Sequence, residues 1–267
     1  MTAAALCVCG GWAGARAEIR VACVGNSITE GYGLDNDESY PARLQEMLGD
    51  SFTVGNFGEA SCGVIRKGLE PYWETGDFRA VFDFDPHIVV ILLGTVDTKD
   101  ANWDHQDDFY DDYAALVDTF ATIETVERFF LCLPPPIAQT LNTMDDHTLI
   151  TELIPIIEQV AADKGHVAVN VYDAMDEYPD YYNDGVHPDS RGARVIATTV
   201  HEAILEQQQT AVAPRAAVFA TNAARGGRAA SGGWFTLSGR AVSRGRGVLL
   251  HAVAAKLRLA IHGSASR

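Results

Sequence analysis

The chain has 267 residues, 47% of them hydrophobic, and a net charge of −16. That length suits one α/β domain with extensions, and no apolar run is long enough to span a bilayer. The charge is uneven: residues 208–267 hold nine of the 20 Lys and Arg and none of the 36 Asp and Glu, so the first 207 residues carry 11 basic and 36 acidic groups. An acidic body disfavours nucleic acid and anionic membrane as partners, and also keeps a protein soluble.

In chain order, residues 1–17 (MTAAALCVCGGWAGARA) read as a signal peptide closing on Ala-Arg-Ala before Glu18, which predicts a secreted or periplasmic protein. The apolar stretch is short, glycine interrupts it and no positive charge precedes it, so a clipped start and a disordered leader are the alternatives. The body, residues 18–207, then alternates apolar runs with amphipathic ones. Strands are predicted at Ile19–Val24, Phe52–Asn56, Ile88–Leu93, Phe129–Leu133 and Val167–Val171, and helices at Tyr40–Leu48, Asp107–Thr122, Thr148–Ala162 and Arg191–Glu206. In the third helix the apolar residues Leu149, Ile150, Leu153, Ile154, Ile157, Val160 and Ala161 fall on one stripe. Apolar strands separated by such helices predict an α/β domain with a parallel sheet covered on both faces. Residues 208–233, rich in Ala, Gly, Arg and Thr, read as a linker, and residues 234–267 as a segment too short to hold a core alone.

With the leader removed, Cys23, Cys62 and Cys132 remain, an odd set without a disulfide framework. Cys23 and Cys132 sit in strand-like runs and read as small core residues, whereas Cys62 lies in a loop near the predicted site. The five Asp between Asp104 and Asp112 lack calcium-loop spacing and read as a solvated helix start.

Two short runs carry the chemistry. Val24-Gly25-Asn26-Ser27-Ile28-Thr29 places a serine at the end of a buried strand, and Asp184-Gly185-Val186-His187-Pro188 places an Asp three residues before a His, ahead of a helix. Together they supply a weak nucleophile, a base to take its proton and a carboxylate to orient the base. Taken singly, Ser27 also reads as a helix N-cap and His187 as a structural histidine before proline. Ser27, the loop after Asn56 and the run Gly94-Thr95-Val96-Asp97 all follow strand ends, where sites form in parallel sheets.

On four blocks in order, the body resembles the SGNH (GDSL-type) hydrolases, nearest in character to the bacterial carbohydrate O-acetylesterases. The blocks are Gly25-Asn26-Ser27-Ile28-Thr29, Asn56-Phe57-Gly58, Gly94-Thr95-Val96-Asp97 and Asp184-Gly185-Val186-His187-Pro188. The resemblance implies a flavodoxin-like three-layer α/β/α sandwich with a five-stranded parallel sheet. It implies no metal or organic cofactor, and an acetylated carbohydrate or other small ester as substrate. Ser27 would attack the ester carbonyl, His187 would carry the proton and Asp184 would hold the imidazole. The N–H groups of Ser27 and Ser61 would serve the oxyanion hole. Two positions depart from the pattern. Val96 stands where the family places an Asn that donates to the oxyanion, and Ser61 stands where it places a Gly, with Gly58 and Gly63 flanking as substitutes. Losing one such donor typically costs about 10²–10³ in rate, or roughly 3–4 kcal/mol.

Gly58, Trp73 and Trp103, with Tyr72, are the candidate substrate contacts, the aromatics as stacking surfaces for sugar rings or as ordinary core residues. A lipase or arylesterase of the same fold is the neighbouring reading, and a non-catalytic carbohydrate-binding relic, suggested by Val96, is the alternative of another class. The tail from Gly233 (GGWFTLSGR…) resembles C-terminal sorting segments of Bacteroidota secreted proteins at its start and departs from them later, so a segment without a selected role is the alternative.

Overall fold

The computed structural model describes residues 18–212, with side chains through residue 208. The predicted leader, most of the linker and the C-terminal segment lie outside the described residues. Five strands, β1 (Ile19–Gly25), β2 (Phe52–Gly58), β3 (Ile88–Leu92), β4 (Arg128–Leu133) and β5 (Val167–Asn170), form one sheet in the order β2-β1-β3-β4-β5. Every pairing is parallel, with Val21 opposite Val54 on β2 and Ile88 on β3, and Phe130 opposite Val167. This is the flavodoxin-like order, and the direction of winding reverses between β1 and β3. A crevice therefore opens at the carboxyl ends of those two strands.

Among the described residues, nine α-helices accompany the strands: α1 (Ser27–Glu30), α2 (Tyr40–Leu48), α3 (Gly76–Phe84), α4 (Asp100–Trp103), α5 (Phe109–Phe120), α6 (Asp146–Thr148), α7 (Ile154–Lys164), α8 (Val171–Asp176) and α9 (Ser190–Val212). The two-residue period of the strands sorts the core into two layers. Ala22, Val24, Val89, Ile91 and Leu131 join Val81 of α3, Leu116 and Phe120 of α5 and Ile157 of α7. Val21, Cys23, Val90, Phe130 and Cys132 turn the other way, onto Tyr40 and Leu44 of α2, Met175 of α8 and Ile196 and Val200 of α9. Cys23 and Cys132 are thus fully buried core residues, as expected.

Local chemistry sets the helix ends. Ser39 caps α2 by accepting the Ala42 N–H, and Thr75 caps α3 by accepting that of Phe78. Gly165 closes α7 in the left-handed region, with the His166 N–H returning to the Ala161 carbonyl. The predicted helix 148–162 is divided: a π turn at Leu149–Leu153 precedes α7. Pro155 has no N–H to offer the Thr151 carbonyl and its ring crowds that group, so the preceding turn widens. The last helix runs to Val212, past the predicted end at Glu206. Helix α3 was not predicted; its nine residues lie between loops and show only Val81 fully buried, so the apolar stripe is weak.

Candidate active site

Ser27 opens α1 directly after β1. Asn26 makes the corner: its backbone is extended and its side chain accepts the Ile28 N–H at 3.1 Å. Gly25 is required there, since a Cβ would sit 1.9 Å from Thr29 Oγ1 and 2.8 Å from the Leu92 carbonyl oxygen. The turn leaves Ser27 Oγ at the mouth of the crevice, 2.9 Å from His187 Nε2. His187 Nδ1 lies 2.7 Å from Asp184 Oδ2. The other Asp184 oxygen accepts the N–H groups of Val186 at 3.0 Å and His187 at 2.8 Å. The loop is closed at its base by the Asn183 N–H on the His187 carbonyl and the Asp189 N–H on the Tyr181 carbonyl. Partial burial works against the Asp184 carboxylate, but the His187 and Val186 donors outweigh it and hold its pKa below the ordinary value. An ionised carboxylate so placed keeps a proton on the near ring nitrogen and leaves the far one free to accept from a hydroxyl.

A cavity of about 340 Å³ lies against this chain of bonds, walled by Ser27 and His187 on one side and by Ser61, Val96, Lys99 and Asn142 on the other. Both residues expected at an oxyanion hole therefore reach the same cavity as Ser27. Ser61 adopts φ 66°, a left-handed backbone that costs a non-glycine residue about 1–2 kcal/mol. Val96 opens a short 3₁₀ turn, Val96–Thr98, and is 4% exposed. Its side chain brings no hydrogen-bond donor.

All four candidate substrate contacts are placed elsewhere than at this cavity. Gly58 pairs in register with Gly25 and packs against the α1 backbone, where a Cβ would sit 2.2 Å from the Glu30 nitrogen. Trp73 donates its indole N–H to the Val64 carbonyl at 2.9 Å and is covered by the Arg66 guanidinium at 3.8 Å. Trp103 is 9% exposed, bonded to Glu152 and packed on Phe109. Tyr72 is fully buried, its hydroxyl on the Phe57 carbonyl. None of these walls the cavity. Aromatic rings in loops look alike in sequence, and only packing tells a stacking platform from a core residue.

Cys62 is no rival nucleophile. Burial, helped by Glu59 and Glu70, pushes its thiol up to about 12, so it stays protonated, and it lines the neighbouring hollow rather than this cavity. Among the described residues no group of three or more His, Cys, Asp or Glu could hold a metal ion. In the acidic run, Asp108 pairs with Lys67 and Asp112 accepts the Arg66 N–H.

Sequence reading missed three residues of the site. Tyr32 packs on the His187 ring, centroids 4.6 Å apart. Asn142 and Lys99 face the cavity from a turn and from the end of the 3₁₀ segment. Asn142 and Thr143 both have positive φ (50° and 64°), an outlying conformation for a β-branched Thr. Bonds from the Asp100 N–H to Thr143 Oγ1 and from the Asp145 N–H to Thr98 Oγ1 hold that turn against the Val96 segment. An Asn-Thr pair is a faint turn signal that says nothing of which cavity the turn will reach.

Residues 23–195 match the model of the GDSL-like Lipase/Acylhydrolase family. An acetylxylan esterase of Xylanibacter ruminicola is 32% identical over 206 residues, which is 70% of this chain and 43% of the relative, so the chain spans less than half of that protein. Among solved structures, a carbohydrate acetylesterase from Sinorhizobium meliloti superposes with a TM-score of 0.59 at 15% identity, covering 71% of this chain and 100% of the other. The native aryl esterase of M. smegmatis superposes with a TM-score of 0.57 at 18% identity, covering 70% and 99%. At such identities the likeness is one of fold. With the family model spanning both the serine corner and the histidine loop, the chain belongs to the GDSL-like lipase/acylhydrolase family, a family of carboxylic ester hydrolases.

Proposed function

We propose that this chain is a serine esterase that removes acetyl groups from carbohydrate. One observation carries the reading: the hydrogen-bonded line Ser27 Oγ–His187 Nε2–Asp184 at 2.9 and 2.7 Å, beside a cavity at the carboxyl edge of the sheet. Ser27 Oγ attacks the ester carbonyl as its proton passes to His187 Nε2. The carbonyl oxygen becomes an anion facing the N–H groups of Ser27 and Ser61. His187 then gives the proton to the departing sugar oxygen as its bond to the acyl carbon breaks, leaving an acetyl ester on Ser27. Water repeats the sequence, its proton passing through the same nitrogen, and acetate leaves. Asp184 keeps the imidazole in one tautomer and balances its transient charge.

The name of the 32% identical relative supports acetylated xylan as the substrate to try first. The reading of residues 1–17 supports placing the activity outside the cytoplasm, where plant polysaccharide is met. Acetate release from acetylated xylan, pectin and sialosides, for wild type and Ser27→Ala, tests the proposal. Release from at least one of them, lost in the variant, is expected. Turnover of 4-nitrophenyl acetate with none of the glycans overturns the carbohydrate assignment, and turnover of neither overturns the esterase.

A further inference from the structure

The segment from Glu59 to Pro71, between β2 and the turn at Tyr72, runs without regular structure and carries Ser61 to the cavity. The Gly63 N–H goes to the Glu70 carbonyl and the Gly68 N–H to that of Ile65, but four other backbone donors find side chains. The N–H groups of Val64 and Ile65 both go to Asp97 Oδ1, at 2.8 and 2.9 Å. That of Arg66 goes to Asp112 and that of Leu69 to Asn102, both at 2.8 Å. All three acceptors come from the stretch after β3, which also supplies Val96 to the cavity wall.

Asp97 is fully buried, and its second oxygen has no hydrogen-bond partner among the described residues. Gly63 permits the approach, since a Cβ there would stand 2.7 Å from Asp97 Oδ1. A carboxylate so enclosed is a costly way to steady a loop. What it supplies is geometry: one oxygen fixes two consecutive N–H directions, three residues beyond the left-handed Ser61.

We propose that Asp97 is the positioning residue of the oxyanion loop, holding the Ser61 N–H at the cavity through its grip on Val64 and Ile65. The proposal rests on the reading that Ser61 donates to the oxyanion. Asp97 is separate from the Ser27–His187–Asp184 line and touches no reacting atom. Its burial drives its pKa up to about 7 against the pull of the Ile65 and Val64 donors, and Asp112 adds to the rise. The titratable groups around it are Cys62 on the loop and Asp112 and Tyr113 on α5. The anchor thus changes charge close to neutrality, and its charge-assisted bonds are strongest above that point.

The test is kcat and KM for 4-nitrophenyl acetate at pH 8, with thermal melting, for wild type, Asp97→Asn, Asp97→Ala and Ser27→Ala. Asp97→Asn keeps an acceptor for both N–H groups and loses the charge; kcat should fall about 5–10-fold with KM within twofold. Asp97→Ala removes the anchor, and kcat should fall about 10²-fold, as for loss of one oxyanion donor. A loop held only for stability would instead lower melting and leave kcat per folded site unchanged, and that result overturns the proposal. So does a raised KM at constant kcat. If neither Asp97 variant folds, Gly63→Ala decides, since its Cβ would stand 2.7 Å from Asp97 Oδ1 and push the loop off the carboxylate: kcat should fall with KM within twofold, and an unchanged kcat overturns the proposal. Turnover that survives Ser27→Ala marks failure of the esterase reading itself, whatever the Asp97 variants do.

Discussion

Asp184 holds His187 twice, by the ring at 2.7 Å through Oδ2 and by the backbone N–H at 2.8 Å through Oδ1. The three-residue spacing makes this possible, because the chain can turn through Gly185, at φ 89°, and bring the histidine back over the carboxylate it has just left. Orientation of the imidazole is therefore local, and only its meeting with Ser27, 160 positions earlier, is tertiary.

That double hold predicts coupling. Asp184→Ala frees the ring and the loop together, and His187→Ala removes the proton acceptor, so the two lesions fall on one unit. The double variant should be little slower than the worse single variant, within about threefold, as for other residues that act together. Steady-state kcat/KM for the two single variants and the double variant measures this; multiplication of the two losses would show independent roles. Asp184, held below the ordinary carboxylate value by the His187 and Val186 donors, stays ionised at and well below neutral pH, so the orienting charge is present throughout these measurements.

Ser27 should be the only serine modified by a phosphonate ester. Among the described residues its hydroxyl alone bonds a histidine that is itself held by a carboxylate, whereas Ser61, in the same cavity, makes no such bond. Peptide mapping after labelling, with Ser27→Ala as control, should find the adduct at residue 27 and a drop in turnover of at least about 10³-fold in the variant. An adduct on Cys62 or Ser61 in active protein would require another nucleophile.

Val96→Asn should raise kcat by about 10²-fold with little change in KM, because a donor aimed at the oxyanion is strengthened mainly in the transition state. The backbone at this position is already fixed, with the Val96 carbonyl taking the Asn102 amide at 2.9 Å, so the new side chain enters the cavity from a settled turn. An amide replacing an apolar group in a buried position should lower the melting temperature slightly. An equal or slower rate in a folded variant would mean that other donors, such as the neighbouring Asn142, already serve the oxyanion.

Asp97 should make stability fall with rising pH over a defined window. Its carboxyl is at about 7 in the folded chain against an ordinary 3.8, so the folded state keeps a proton that the unfolded state has released. Stability then declines from about pH 4 to about pH 7 and levels off above, a contribution of roughly 4 kcal/mol if the whole shift is realised. Asp97→Asn carries no charge to lose. Its melting temperature should gain on that of wild type between pH 5 and pH 8, and a constant difference across that range would remove the buried charge as the cause. A variant that is relatively more stable and yet slower would be the signature of a residue kept for geometry.

All five strands were legible in the sequence because each is a short apolar run bounded by turns, and both layers of the core take every second residue from the same runs. Helix α2 was read to the residue, since Ser39, Pro41 and Gly49 mark its ends by local chemistry. The helix at 148–162 was read by its stripe but not by its π turn, because periodicity does not see the missing N–H of Pro155. Ser27, Asp184 and His187 were legible for another reason: each sits in a motif whose turn chemistry is encoded within five or six residues.

What the sequence could not place is whatever depends on which loop meets which. Trp73, Trp103 and Tyr72 have the same composition as a sugar platform, and packing turned them into core. Asn142, Lys99 and Tyr32 reached the cavity because their segments dock beside the carboxyl ends of β1 and β3. Asp97 stood in a recognised run, yet its partners Val64 and Ile65 lie more than thirty residues away. Short-range hydrogen bonds and hydrophobic period are written along the chain, so elements and motifs follow from it. The close approach of distant backbone to a buried carboxylate exists only after the sheet has assembled, and there the tertiary structure decides.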